Sequence, residues 1–113
     1  MHELSLAYEV IELAKREVIK NKVSAIFEME IEVGDLSGVE ANAFLSALEM
    51  IAKSTLLENT FFRINRVPAS GRCSTCDLEF EMKERMATCP TCHRFPFEIN
   101  GGQEFRVTTI LAE

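Results

Sequence analysis

Four cysteines and two histidines carry most of the metal chemistry open to this chain. Cys73-x2-Cys76 and Cys89-x2-Cys92 are two close pairs separated by twelve residues. A CxxC pair turns tightly and aims two thiolates at one ion. Two facing pairs complete a tetrahedral four-thiolate shell, which Zn(II) accepts without geometric penalty. Sulfur fills every position and leaves none for water, so the expected ion is structural rather than catalytic. Redox chemistry of the thioredoxin kind wants a single pair at a helix start. Iron in a four-cysteine site has the same spacing and stays an alternative. His93, next to Cys92, is a further candidate that would exchange in to give three cysteines and one histidine. A solvated knuckle histidine is the simpler reading.

The other histidine, His2, follows Met1 directly. Methionine aminopeptidases need a small second residue, so Met1 is expected to be retained. The opening Met1-His2-Glu3 then sets an amine, a backbone amide nitrogen and an imidazole within one residue of each other. Amine and His2 amide close a five-membered chelate ring, and the same amide with Nδ1 closes a six-membered one. Glu3 can supply a fourth donor, and such a planar N/O set favours Ni(II) or Cu(II). Taken alone the pattern is weak, because a histidine at position 2 is more often an idle surface residue.

The elements that must position these groups are readable from periodicity. Residues 3–21 predict a helix with Leu6, Val10, Leu13 and Ala7, Ile11, Ala14, Val18 on one apolar face, and Asn21 as its stop. Residues 25–33 predict a strand in which Phe27, Met29, Ile31 and Val33 alternate with Glu28, Glu30 and Glu32, one face buried and the other acidic. Ser37-Gly38-Val39-Glu40 has capping-box form, with Ser37 at the N-cap, and predicts a second helix running to about Thr55. Residues 60–67 and 104–111 read as two further strands. Pro68, Gly71 and the Gly101-Gly102 turn punctuate the chain between them. A lone strand is not stable in water, so the last is expected to rejoin the first two.

The fold class is therefore α+β: two helices packed on a three-stranded sheet, with a zinc-ribbon-like four-cysteine lobe inserted. Residues 1–69 plus 99–113 form the first lobe and residues 70–98 the second. A lobe of that size buries too little surface to fold alone, and metal binding on the order of 10 kcal/mol makes up the difference.

The 113 residues fit one small unit, and the net charge of −6 argues against nucleic acid or an anionic membrane as the primary partner. Between Cys73 and Glu98, Lys83, Arg85 and Arg94 are outnumbered by Asp77, Glu79, Glu81, Glu84 and Glu98, so no basic stripe meets phosphates. No apolar run approaches the ~18 residues of a membrane span. The start lacks the pattern of a secretory signal. A cytoplasmic location is expected, where paired cysteines read as ligands rather than disulfides.

Several short pieces then line up. Met1-His2-Glu3-Leu4-Ser5-Leu6, residues 33–40 (VGDLSGVE), Cys73, Cys76, Cys89-Pro90-Thr91-Cys92 and Gly102-Gln103-Glu104-Phe105 stand in an order and spacing that resembles the HypA/HybF family. These are nickel-insertion accessory proteins of NiFe-hydrogenase maturation. The resemblance runs nearly end to end. It implies a nickel lobe of two helices on a three-stranded sheet joined to a zinc lobe. It also implies that Met1, His2 and Glu3 hold Ni(II) as cargo, and that nickel passes to a hydrogenase large subunit with a partner GTPase. The family is not catalytic, and some relatives also serve urease. Where many relatives have a Gly-Ser type turn after the last cysteine, this chain has His93-Arg94. Glu40 is a minor further nickel candidate, because a capping role explains it equally well.

The alternative is a zinc-ribbon adaptor acting only through protein contacts at the acidic strand face and the knuckle loops. An enzyme is disfavoured: the chain has no HExxH, no phosphate loop and no base placed for Ser5 or Ser37.

Overall fold

Residues 3–113 are described by the computed structural model of the chain. The three-and-four spacing near the start forms α1 (Glu3–Asn21), which buries Ala7, Val10, Ile11 and Ala14. Asn21 closes it by donating its side-chain amide to the Glu17 carbonyl at 2.9 Å, and Lys22 then turns left-handed at φ 55°.

The alternating segment forms β1 (Ile26–Gly34). It is followed by α2 (Ala41–Ala52) and β2 (Phe61–Val67). Because α2 carries the chain back across the sheet, β2 runs parallel to β1. The last strand, β6 (Phe105–Ala112), pairs antiparallel on the other side, so β1 is central in the order β2-β1-β6. Both helices contribute to a core built on Ile11, Met29, Ile31, Phe44, Leu48 and Leu57. Phe105 meets Phe44 edge-on, ring centroids 5.1 Å apart.

Three local expectations are corrected. Phe27 is 53% exposed while Ile26 and Met29 are buried, because the register of β1 against β6 shifts between Ile26 and Glu28. One extra residue reverses the alternation on its far side. Helix α2 starts later and stops sooner than the capping-box pattern suggests. Its N-cap is Glu40, whose carboxylate accepts from the Ala43 N–H, and its last residue is Ala52. Ser37 instead closes a small turn, its hydroxyl accepting from the Val39 N–H at 3.2 Å. The acidic face of β1 is compensated by neighbouring strands: Arg63 reaches Glu28 and Glu30 at 3.2 and 3.4 Å, and Arg106 reaches Glu32 at 2.6 Å. Exposed pairs of this kind contribute at most about 1 kcal/mol each. Their main effect is to cancel a row of like charges.

The cysteine-bearing stretch forms a second antiparallel sheet. It consists of β3 (Ala69–Cys73), β4 (Leu78–Met82) and β5 (Glu98–Asn100), in the order β4-β3-β5. Its core is small: Ala69, Cys73, Phe80, Met82 and Cys89, joined by Leu36 from the loop after β1. The whole molecule measures 55 × 23 × 17 Å.

Chain passages between the sheets cross at very close range. A Cβ added to Gly102, which sits at φ +81°, would lie 2.2 Å from the Ala69 Cβ; one on Gly34 would lie 2.1 Å from the Gly102 carbonyl oxygen. Hydrogen bonds close the crossing, from Gly34 N–H to Glu104 O (2.7 Å) and from Leu36 N–H to Gly102 O (2.6 Å). Gly102→Ala combines a left-handed backbone with a clash that only main-chain movement relieves. It is expected to destabilise the protein by about 2–4 kcal/mol, read as a lower urea midpoint with an unchanged slope.

Candidate metal centres

Each cysteine pair is closed by a left-handed residue, and the first also by a strand end. Cys73 ends β3 and stands opposite Leu78 at the start of β4, so residues 74–77 form the tight turn of the first knuckle. Asp77 takes φ 48° there, and its carboxylate is ion-paired with Arg72. In the second knuckle the Cys89 N–H donates to Arg94 O and the His93 N–H to Cys89 O, both at 2.8 Å, with His93 at φ 63°. Both left-handed positions directly follow the second cysteine of a pair. Arg94 bridges the knuckles by donating to the Thr75 hydroxyl at 2.9 Å.

These turns bring the sulfurs of Cys73, Cys76, Cys89 and Cys92 all within 4.8 Å of one another. Cys73 and Cys92 lie Sγ to Sγ 3.4 Å apart. A tetrahedral zinc–thiolate shell with bonds of about 2.3 Å separates its sulfurs by about 3.8 Å, so the donor set fits Zn(II). Cys73 and Cys89 are buried and Cys76 and Cys92 half-buried. The cluster comprises these four sulfurs; exposed His93 serves the knuckle through its backbone N–H.

The sulfurs are electrostatically unequal. Hydrogen bonding with the Cys92 side chain, then burial, pushes the Cys76 thiol up to about 12. The backbone N–H of Cys92, opposed by burial and aided by the N–H of Thr91, brings Cys89 down to about 7. The environment favours the thiolate at Cys89 and the thiol at Cys76, so loading a cation that needs four thiolates must expel protons.

The residues read from sequence as nickel candidates fall in two places. Met1 and His2 lie outside the described residues. Glu3 opens α1, and its Oε2 accepts from the Glu40 backbone N–H at 3.2 Å across 37 positions of sequence. Two of the candidates are thus neighbours at the adjoining starts of α1 and α2. The Glu40 carboxylate stays on its own helix, bonded to the Ala43 N–H at 2.5 Å. Both acids sit where the positive end of α2's dipole favours negative charge. Beside them a cleft of about 260 Å³ is lined by Asp35, Glu40, Asn42 and Arg66, with Arg66 paired to Asp35 at 2.8 Å. Nothing in the local sequence marks the Glu3–Glu40 contact; only the packing of α1 on α2 creates it.

Comparison with known proteins is consistent from sequence to fold. The family model described as hydrogenase/urease nickel incorporation, metallochaperone, hypA matches residues 1–112. The hydrogenase maturation factor HypA of Geobacter metallireducens is 34% identical over 113 residues, covering 100% of both chains. That of Parabacteroides distasonis is 34% identical over 111 residues, covering 98% of this chain and 96% of its own. The solution structure of the Ni metallochaperone HypA from Helicobacter pylori superposes with a TM-score of 0.65 at 24% identity, covering 99% of this chain and 97% of that one.

Zinc affinity, measured by chelator competition, is expected to fall as pH is lowered from about 8 to about 6, because protons return to the ligand thiolates. The low value of Cys89 delays its share of that loss until the pH passes about 7. Stripping the ion is expected to abolish the shift dispersion of residues 69–100 in an NMR spectrum while leaving that of α1, α2 and the first sheet.

Proposed function

The chain belongs to the HypA family of nickel-incorporation metallochaperones. On that footing we propose that it binds Ni(II) as cargo at its amino-terminal end and delivers it to the large subunit of a NiFe-hydrogenase. A nickel-handling GTPase is its partner, and Zn(II) is kept as a resident structural ion on Cys73, Cys76, Cys89 and Cys92. Urease falls within the same family description and is a second possible acceptor. The work is carriage, not catalysis, and its setting is the cytoplasm.

The observation that carries this reading is the Glu40 N–H to Glu3 Oε2 bond. Glu3 is covalently next to His2, so the bond holds one end of the Met1-His2-Glu3 chelating run against the α2 N-terminus. Amine, amide nitrogen and imidazole supply the nitrogen donors of a planar site. Glu3 completes it, and Glu40 stands close enough to be a minor contributor. A site in the first residues of a chain suits transfer, because few packing contacts oppose its release. Nitrogen donors favour Cu(II) over Ni(II) in raw affinity, so selectivity comes from docking with partners. The cargo lobe is read as residues 1–69 plus 99–113 and the zinc lobe as residues 70–98, with β3 and β5 carrying the second sheet out to Ala69 and Asn100.

The adaptor reading has less support. The acidic strand face it would use is matched by Arg63 and Arg106 of the same sheet.

His2→Ala is expected to abolish stoichiometric nickel binding while one zinc per chain and the circular dichroism spectrum are unchanged. Residues added ahead of Met1 are expected to do the same, and an extension at the other end to have no effect. Isothermal titration with elemental counting reads all three. One nickel bound by His2→Ala at unaltered affinity would place the site elsewhere.

A further inference from the structure

Residues 34–40 join the two lobes in an asymmetric way. Leu36 is 2% exposed, yet its side chain packs among Ala69, Cys73, Phe80, Met82 and Cys89 of the zinc lobe. Two of those neighbours are metal-ligand candidates. Its peptide is held from both sides: the N–H donates to Gly102 O at 2.6 Å, and the carbonyl accepts from the Arg85 guanidinium at 2.7 Å. Arg85 lies on the segment that leads into the second knuckle. Three residues further on, Val39 packs against the other core, that of the first sheet and its helices.

Between these anchors the chain has little slack. The Ser37 N–H donates to Gly34 O at 3.0 Å, and the Ser37 hydroxyl accepts from the Val39 N–H. Gly38 takes the left-handed φ of 84° that closes the turn. Glu40 follows at once, N-capping α2 with its carboxylate and donating its own N–H to Glu3. Four residues reach at most about 14 Å when fully extended, and this turn is far from extended. A shift of Leu36 is therefore passed to Glu40 rather than absorbed.

We infer that residues 36–40 act as a clip through which the zinc lobe positions the carboxylates at the amino-terminal end, with Leu36 and Arg85 as its positioning residues. The four-thiolate shell orders Cys73, Cys89 and the segment carrying Arg85, and so keeps the socket and the hydrogen bond that hold Leu36. Leu36 holds the turn, and the turn places the Glu40 N–H against Glu3. The consequence for nickel rests on the site proposed above; the mechanical link does not.

Amide hydrogen exchange at Glu40 and Ala43 reads the link directly, with zinc and nickel stoichiometry counted on the same samples. Arg85→Met keeps the side-chain stem, removes the bond to the Leu36 carbonyl and changes an exposed residue, so it should fold. With one zinc still bound, it is expected to exchange both amides at least about tenfold faster, the usual effect of losing a charge-assisted bond. Nickel binding is expected to weaken by a similar factor. Zinc-loaded Leu36→Ala and zinc-stripped parent protein are expected to show the same acceleration. Unchanged exchange at both amides in zinc-loaded Arg85→Met and in zinc-stripped protein would overturn the clip. Faster exchange with unaltered nickel affinity would keep the clip and overturn its effect on nickel. His2→Ala, with parent-like exchange, separates the two ideas: if it still takes up nickel, the nickel-site reading fails while the mechanical result stands.

Discussion

The two lobes hold together because three stretches of backbone approach more closely at Gly102 than any side chain permits. Gly102 lies against Ala69 on one side; on the other its carbonyl accepts from the Leu36 N–H and abuts Gly34. The chain leaves the first sheet through Pro68 and returns through Gly101-Gly102, so entry and exit are pinned at one place. That pinning feeds β6 back beside β1 and sets the second sheet at the end of the first. It also brings the loop after β1 near enough to the zinc lobe for Leu36 to be buried there. Glycine is required on both sides of the crossing, at Gly102 for its left-handed backbone and at Gly34 for contact alone.

On either side of that crossing, order comes from different sources. Among the described residues, the first lobe has a core of fourteen buried residues from two helices, strands β1 and β2 and the loop residue Leu57, with β6 packed against it, enough to be held by apolar burial. The second has six, of which two are cysteines and one is borrowed from the other lobe. So small a core is insufficient without a cross-link. Four convergent sulfurs are that cross-link. The knuckle hydrogen bonds, the Arg72–Asp77 pair and the Arg94–Thr75 bridge set the approach of the sulfurs instead of adding bulk.

What the sequence made legible follows the range of the interactions involved. Helix α1 runs over the residues its periodicity marks, and β1 departs by one residue at each end, because both are set by patterns within a few residues. The bulge at Phe27 left that alternation intact in the sequence and appears only when β6 is laid alongside. Ser37-x-x-Glu40 reads as a capping box, but Leu36 is drawn into the other lobe, Ser37 is consumed in a turn, and the cap passes to Glu40. Strands β3 and β5 were hidden because, Ala69 and Ile99 apart, their residues are cysteine, glycine, charged and polar, whereas β4, in which Leu78, Phe80 and Met82 alternate with Glu79 and Glu81, carries a strand pattern that the sequence reading leaves unassigned. The two CxxC pairs were visible as a metal motif from spacing alone. The Glu3–Glu40 contact was not, since it depends on how two helices pack.

Strand order has a further consequence during synthesis. Strand β1 is central, yet one of its neighbours, β6, is the last of the described elements to be made. Until Phe105–Ala112 leaves the ribosome, one edge of β1 carries unpaired N–H and C=O groups, an open template for other strands. Both cysteine pairs emerge before β6. A nascent chain can therefore take up its structural ion first, and ordering residues 73–92 shortens the loop that β6 must close to reach β1. The supply of the ion that the four sulfurs would hold thus bears, at the time of translation, on the yield of the first sheet, which lies outside the cysteine lobe.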